Sequence, residues 1–185
     1  MSLDSVLNRI DDQLPSALER LKELMRIPSI STDPAYDDDC DRAATWLVKD
    51  LQSIGIDAEM RKTPGRAMVV GHFNGSDTAN APHVLFYGHY DVQPVDPLNL
   101  WDTAPFEPEV QDAPNGQVIR GRGAADDKGQ LMTFIEACRA YKDVTGTLPC
   151  NMTFFFEGEE ESGSPSLIPF LESNKDELSA DLALV

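Results

Sequence analysis

The apolar run HVLFY at residues 83–87, which has no polar alternation, constrains the fold of this chain most strongly. A second β-type run, NMTFFF, follows at residues 151–156. A strand with one face in water alternates apolar and polar residues, whereas a strand covered on both faces does not need to. We therefore expect strands inside a sheet, with further layers packed on its two faces.

Helical patterns alternate with these and other β-type runs along the chain. The helical segments are Leu3–Met25, interrupted near Pro15, and residues 38–54 and 128–141. The other β-type runs are residues 56–61, 67–73, 117–120 and 181–185. Ser164 followed by Pro165 is typical of a helix N-cap. The order predicts one α/β domain, a three-layer sandwich with a largely parallel mixed sheet flanked by helices.

The charge of the chain narrows the choice of partners. There are 32 acidic and 15 basic residues, which gives a formal net charge of -17. This charge opposes binding to nucleic acid and to anionic membranes, so we expect neither as a partner. Carboxylates can also bind cations, although most acidic residues on a protein surface are simply solvated.

The spacing of the cysteines and the N-terminal sequence indicate in which cellular compartment the protein is expected. Cys40, Cys138 and Cys150 are odd in number and have no CxxC spacing, so neither a disulfide framework nor a cysteine zinc site is indicated. The first residues lack the pattern of a signal peptide, and no run of about 18 apolar residues occurs. We expect a cytoplasmic protein.

Three polar segments follow a β-type run or precede a helical one, where open α/β sheets gather their ligand-binding loops. In the first, His89 and Asp91 follow the run 83–87. A neutral imidazole is a good zinc ligand, and a nearby carboxylate can hold the other ring N–H. Taken alone, a histidine after a strand is more often a packed or solvent-facing residue.

The second segment places Asp126 and Asp127 before a helical pattern. One of these carboxylates could bridge two cations, or it could be the N-cap of the helix. The third segment follows an apolar run and holds Glu157, Glu159, Glu160 and Glu161. Neighbouring glutamates can supply a metal ligand and a general base, and a solvated acidic turn is the alternative.

Taken together, these motifs resemble those of a zinc exopeptidase family. The family includes carboxypeptidase G, acetylornithine deacetylase, succinyl-diaminopimelate desuccinylase and the carnosinase-like dipeptidases. The residues of the motifs are most similar to those of the dipeptidase branch. The matching segments are GHYDVQP at 88–94, WDTAPFEP at 101–108, GRGAADDKG at 121–129 and EGEEESGS at 157–164. The resemblance extends from about Leu18 to the C-terminus.

The resemblance implies a role for five side chains around two Zn²⁺ ions, with Mn²⁺ or Co²⁺ as alternatives. His89 is implied as a ligand of one zinc, with Asp91 orienting its ring. Asp126 is implied as the carboxylate that bridges both ions. Counting back from Ser162-Gly163-Ser164 makes Glu160 the general base and Glu161 a ligand of the other zinc. Glu159 is assigned no role.

The resemblance also carries expectations about the rest of the protein. It implies a cis peptide between Asp126 and Asp127. His72 and His83 precede the first motif, and we expect ordinary strand residues there. The remaining metal ligands are expected beyond Val185, so we expect residues 1–185 to be the N-terminal part of a catalytic domain, with an exposed apolar sheet edge. A lid or dimerisation domain is expected outside this chain, in a homodimeric full-length protein.

The implied function is hydrolysis of a dipeptide amide bond by metal-activated water. An N-acyl amino acid deacylase with the same core is the alternative within the enzymes. This chain alone is expected to be inactive, so a metal-binding fragment remains a further alternative. An acidic calcium-binding domain is disfavoured because no EF-hand pattern occurs.

Overall fold

A computed structural model of the chain describes residues 3–75 and 80–185. The helices are α1 (Leu3–Met25), α2 (Asp37–Ser53), α3 (Lys128–Thr145) and α4 (Leu167–Ser173), with 3₁₀ turns at Pro34–Tyr36, Leu98–Leu100 and Glu160–Ser162. The strands are β1 (Asp57–Arg61), β2 (Met68–Phe73), β3 (His83–His89), β4 (Glu109–Ala113), β5 (Gly116–Arg120), β6 (Asn151–Glu157) and β7 (Leu182–Leu184). Helices and strands alternate from α3 to β7, as the sequence predicts, whereas five strands follow one another between α2 and α3.

The main sheet has the strand order β1-β2-β6-β3-β7. β3 pairs in parallel with β6 and with β7, while β2 is antiparallel to both of its neighbours. Four of the five strands therefore share one direction, which confirms the largely parallel mixed sheet. In the register of β3 and β6, His89 lies opposite Glu157, so both strands end at the same edge of the sheet.

Both faces of this sheet are covered by other elements. Neighbouring residues of β6 point to opposite faces and belong to two different core clusters. Phe154 and Phe156 belong to the larger core cluster, which includes residues of α1, α2 and α3. Phe155 belongs to a second cluster, and its ring stacks on Phe170 of α4 with centroids 5.6 Å apart. The three-layer α/β sandwich is confirmed.

Two expectations about local structure are wrong. α1 continues through Pro15, since Asp11, whose carbonyl loses its helical partner there, is exposed and can bind water. Ser164 is not the N-cap of α4, since this helix begins at Leu167. The Ser164 hydroxyl donates to a Glu157 carboxylate oxygen instead.

The segment between β3 and α3 contains more structure than the sequence predicts. The expected strand at 117–120 is present as β5, and it forms an antiparallel hairpin with β4, which the sequence did not indicate. At the far edge of the main sheet, Leu182 and Leu184 of β7 are exposed. None of the helices within residues 3–75 and 80–185 is long and apolar enough to cross a membrane.

Candidate metal centre

The parallel strands β3 and β6 end beside the start of α3, and this arrangement brings three predicted site residues together. His89 ends β3 and is buried. Its Nε2 atom lies 2.9 Å from Oδ1 of Asp126 and 3.8 Å from Oε2 of Glu160. A cleft of about 630 Å³ opens over these side chains, and Phe134 forms part of its wall.

Asp91 is fully buried and connects the histidine to the glutamate turn. Its Oδ1 atom lies 3.2 Å from Nδ1 of His89 and accepts a hydrogen bond from the Glu160 backbone N–H. Its Oδ2 atom accepts hydrogen bonds from the Glu161 backbone N–H at 3.0 Å and from the Ser31 hydroxyl at 2.5 Å. One carboxylate thus fixes both the ring of His89 and the backbone that carries Glu160 and Glu161.

The imidazole of His89 is surrounded by negative charge. Burial by itself would lower its pKa, but the hydrogen bond to Asp91 and the charges of Asp91, Asp127 and Glu160 raise the pKa to about 9. A proton on His89 therefore offsets part of the carboxylate charge at neutral pH.

The start of α3 is anchored by its own first residues. Asp127 is at the N-cap position without a side-chain cap, and its Oδ2 atom accepts a hydrogen bond from the His89 backbone N–H at 3.1 Å. Lys128 is completely buried and donates to the backbone oxygens of Leu24 and Ile27 at 3.1 and 2.6 Å. Burial lowers the pKa of Lys128 to about 7. The expected cis peptide between Asp126 and Asp127 is present.

The carboxylate of Glu161 is oriented by Gln93, whose side-chain amide donates to Oε2 at 2.6 Å. Burial raises the pKa of Glu161. Within the described parts of the chain, no group of three His, Cys, Asp or Glu side chains has the arrangement needed to hold a metal ion. The donor chemistry still fits a cation such as zinc, because Asp91 holds one ring nitrogen of His89 and leaves the other beside carboxylates.

Several residues around the site were missed by sequence reasoning. Glu157 is fully buried and accepts hydrogen bonds from the hydroxyls of Tyr87 at 2.5 Å and Ser164 at 2.9 Å. Its other oxygen has no hydrogen-bond partner, and burial raises the pKa of this carboxyl. Its position at the end of an apolar run was a usable signal. Gln93 lies inside the GHYDVQP segment but was given no role, and nothing in the sequence marked Ser31.

The remaining histidines lie away from this edge. His72 and His83 both approach the hydroxyl of Thr153, at 3.1 and 2.7 Å. His72 also pairs with Glu177 at 2.9 Å. These contacts agree with the ordinary strand role expected for both residues.

Residues 85–185 match the model of the peptidase family M20/M25/M40. The Cys-Gly metallodipeptidase DUG1 of Saccharomyces cerevisiae is 34% identical over 179 residues, covering 90% of this chain and 36% of that protein. The structure of human carnosine dipeptidase 1 superposes with a TM-score of 0.87 and 28% identity, over 98% of this chain and 40% of that one. The M20 family metallo-carboxypeptidase Sso-CP2 of Sulfolobus solfataricus gives a TM-score of 0.80 and 36% identity, over 91% of this chain and 36% of that one.

The chain therefore spans about a third of the length of the curated relatives that it matches. The family match covers 101 of the 185 residues, from 85 to 185, and includes the segments that carry His89, Asp126 and Glu160. The chain belongs to the peptidase family M20/M25/M40.

Proposed function

We propose that this chain contributes the metal-binding edge of a dipeptidase that hydrolyses the amide bond with two zinc ions. The observation that carries the proposal is the approach of Asp126 and Glu160 to the Nε2 atom of His89. The relatives named as dipeptidases support a dipeptide as the substrate. We further propose that residues 1–185 form the N-terminal part of the catalytic domain.

The charges around His89 support a cation at this place. Carboxylates held near one another repel unless a proton or a cation offsets their charge. His89 and Asp126 would hold one cation, and Asp126 and Glu161 the second, with Asp126 shared. A bound divalent cation supplies Lewis-acid chemistry, lowering the pKa of water and polarising a carbonyl group.

The residues of this chain divide the remaining work. Asp91 keeps the Nδ1–H of His89 occupied, so that Nε2 faces the cleft with its lone pair once its proton is displaced. Glu160 is half exposed at the cleft, where its carboxylate can take the proton of the attacking water. The oxygen of this water bonds to the amide carbonyl carbon, and Glu160 then delivers the proton to the amide nitrogen, so that the C–N bond breaks and the amine leaves.

The test uses the full-length protein that contains residues 1–185, stripped of metal by a chelator and then titrated with Zn²⁺, Mn²⁺ or Co²⁺. Bound metal is counted by equilibrium dialysis, and hydrolysis of Cys-Gly, β-Ala-His and an N-acetyl amino acid is measured for each loaded form. The proposal expects two zinc ions per chain and faster turnover of a dipeptide than of the acetyl compound. Faster turnover of the acetyl compound would favour a deacylase, and binding without any turnover would favour a metal-binding fragment.

The role of Glu160 is tested separately with Glu160→Gln. We expect kcat to fall about 100-fold or more, because the amide cannot accept the proton, while the number of bound zinc ions stays unchanged. Glu172→Gln is the matched control, since Glu172 is exposed on α4. Equal kcat values for the two variants would rule out Glu160 as the base.

A further inference from the structure

Glu159 is a buried carboxylate directly before the Glu160–Ser162 turn. Its side chain is held by backbone N–H groups from two separate segments: Oε1 accepts from Arg66 at 2.8 Å, and Oε2 accepts from Ser166 at 3.0 Å. Only 4% of Glu159 is exposed. A solvated acidic turn does not explain these contacts, because both carboxylate oxygens are used inside the protein.

The residue at position 65 is matched to this carboxylate. A Cβ atom built on Gly65 would lie 1.5 Å from Oε1 of Glu159, which is far inside van der Waals contact. Gly65 does not have a positive φ, so its backbone would accept another residue. The glycine is therefore required by the Glu159 side chain and not by the backbone conformation.

A chain of hydrogen bonds leads from Glu159 back to the metal centre. The guanidinium of Arg66 donates to the backbone oxygen of Ser31 at 3.1 Å, and the Ser31 hydroxyl donates to Asp91 at 2.5 Å. Asp91 in turn accepts the backbone N–H groups of Glu160 and Glu161. The peptide backbone joins Glu160 to Glu159, so this chain of hydrogen bonds starts and ends at the same turn.

We propose that Glu159 is a positioning residue that sets where the Glu160 and Glu161 carboxylates stand relative to His89. It fixes residues 65–66 against the Glu160–Ser162 turn. This keeps the Arg66 guanidinium hydrogen-bonded to Ser31, and the Ser31 hydroxyl hydrogen-bonded to Asp91. The effect on catalysis rests on the proposed hydrolase function, whereas the effect on the turn does not.

The first test substitutes Glu159→Gln in the full-length protein that contains residues 1–185. The amide keeps one acceptor oxygen and turns its NH₂ group towards the other backbone N–H, so one of the two contacts becomes repulsive. We expect kcat for Cys-Gly to fall tenfold or more with KM changed less than threefold. Amide hydrogen exchange at the backbone N–H of Glu160 and Glu161 should accelerate at least tenfold, while exchange at Phe154 in the core stays unchanged.

The second test approaches the same contact from the loop. Gly65→Ala should reproduce the Glu159→Gln phenotype, because the added methyl group displaces the carboxylate. In a Glu159→Ala background the methyl group has room, so the double variant should match Glu159→Ala within twofold. Glu172→Gln serves again as the exposed control. This pair of variants also decides the matter if Glu159→Gln does not fold.

The outcomes separate the two proposals. Exchange rates and kcat within twofold of wild type in folded variants, or a Gly65→Ala effect that persists in the Glu159→Ala background, would overturn the positioning role. If the unaltered full-length protein hydrolyses no peptide, the proposed function fails, and the exchange rates at Glu160 and Glu161 still test Glu159.

Discussion

Replacing Asp91 by asparagine should damage the site in a way that the structure allows us to estimate. The Asp91 carboxylate is paired with four groups: Nδ1 of His89, the backbone N–H groups of Glu160 and Glu161, and the hydroxyl of Ser31. An asparagine has one acceptor oxygen, so its NH₂ group must face two of them. Ser31 can rotate its hydroxyl to accept, but a backbone N–H or the His89 N–H cannot.

The magnitude follows from these contacts. One buried donor left without an acceptor costs about 1–3 kcal/mol, and hydrogen bonds to a neutral amide are about 1 kcal/mol weaker than those to a charged group. We therefore expect Asp91→Asn to lower the free energy of unfolding by about 2–5 kcal/mol at pH 7. Because Asp91 orients His89, zinc affinity should also fall about 10- to 100-fold.

Urea denaturation measures the first effect and equilibrium dialysis the second. Asp176→Asn is the matched control, since Asp176 is exposed, and its effect should stay within about 0.5 kcal/mol. A loss below about 1 kcal/mol for Asp91→Asn, with zinc affinity unchanged, would refute the assignment of Asp91 as the common acceptor of the site.

Three further outcomes are expected. Because the pKa of His89 is about 9, zinc must displace its proton, and the apparent zinc affinity should weaken about tenfold per pH unit below 9. Calorimetry in buffers of different ionisation enthalpy should detect the released proton. If no proton is released, His89 is not charged in the metal-free protein. Nη2 of Arg139 donates to Oδ1 of the buried Asp50 at 2.6 Å. Arg139→Met leaves this carboxylate without its partner, so the free energy of unfolding measured by urea titration should fall by about 3–5 kcal/mol. The pKa of Glu177 is lowered from 4.5 to about 2, first by the hydrogen bond from Arg61, so its contribution to stability is present above pH 4.5 and lost as the pH falls through 2. Glu177→Gln should be less stable than wild type at pH 7, and the difference should disappear in acid denaturation curves only below about pH 2.

Most of the fold was accessible from the sequence because its strands and helices carry strong periodic signals. The runs at 83–87 and 151–156 became the adjacent parallel strands β3 and β6, as expected of strands covered on both faces. The β4–β5 hairpin was only half predicted, since its residues are mostly exposed or half buried and carry no apolar alternation. The two strands pair with each other away from the main sheet, so they bury little apolar surface that the sequence could signal.

The site was predictable to the extent that its residues stand at the ends of elements. His89 and Asp126 were picked out by their motifs, and the structure brings them within 2.9 Å. Their metal-binding roles stay predictions. The contact between Gly65 and Glu159 could not be foreseen, because 94 positions separate the two residues and glycine is common in loops for its backbone freedom alone.

The electrostatics of the site link metal binding to stability. Asp91, Asp126 and Glu160 all lie around the single imidazole of His89, so the metal-free protein balances several negative charges with one proton. This balance weakens as the pH rises through the raised pKa of His89, because the proton that stabilises the folded state is then lost. A divalent cation bound by these side chains would carry twice that charge. We therefore expect it to stabilise the folded protein by about 4 kcal/mol at a thousand times its dissociation constant. At a fixed metal concentration the stabilisation should be larger at alkaline pH, where the affinity is higher.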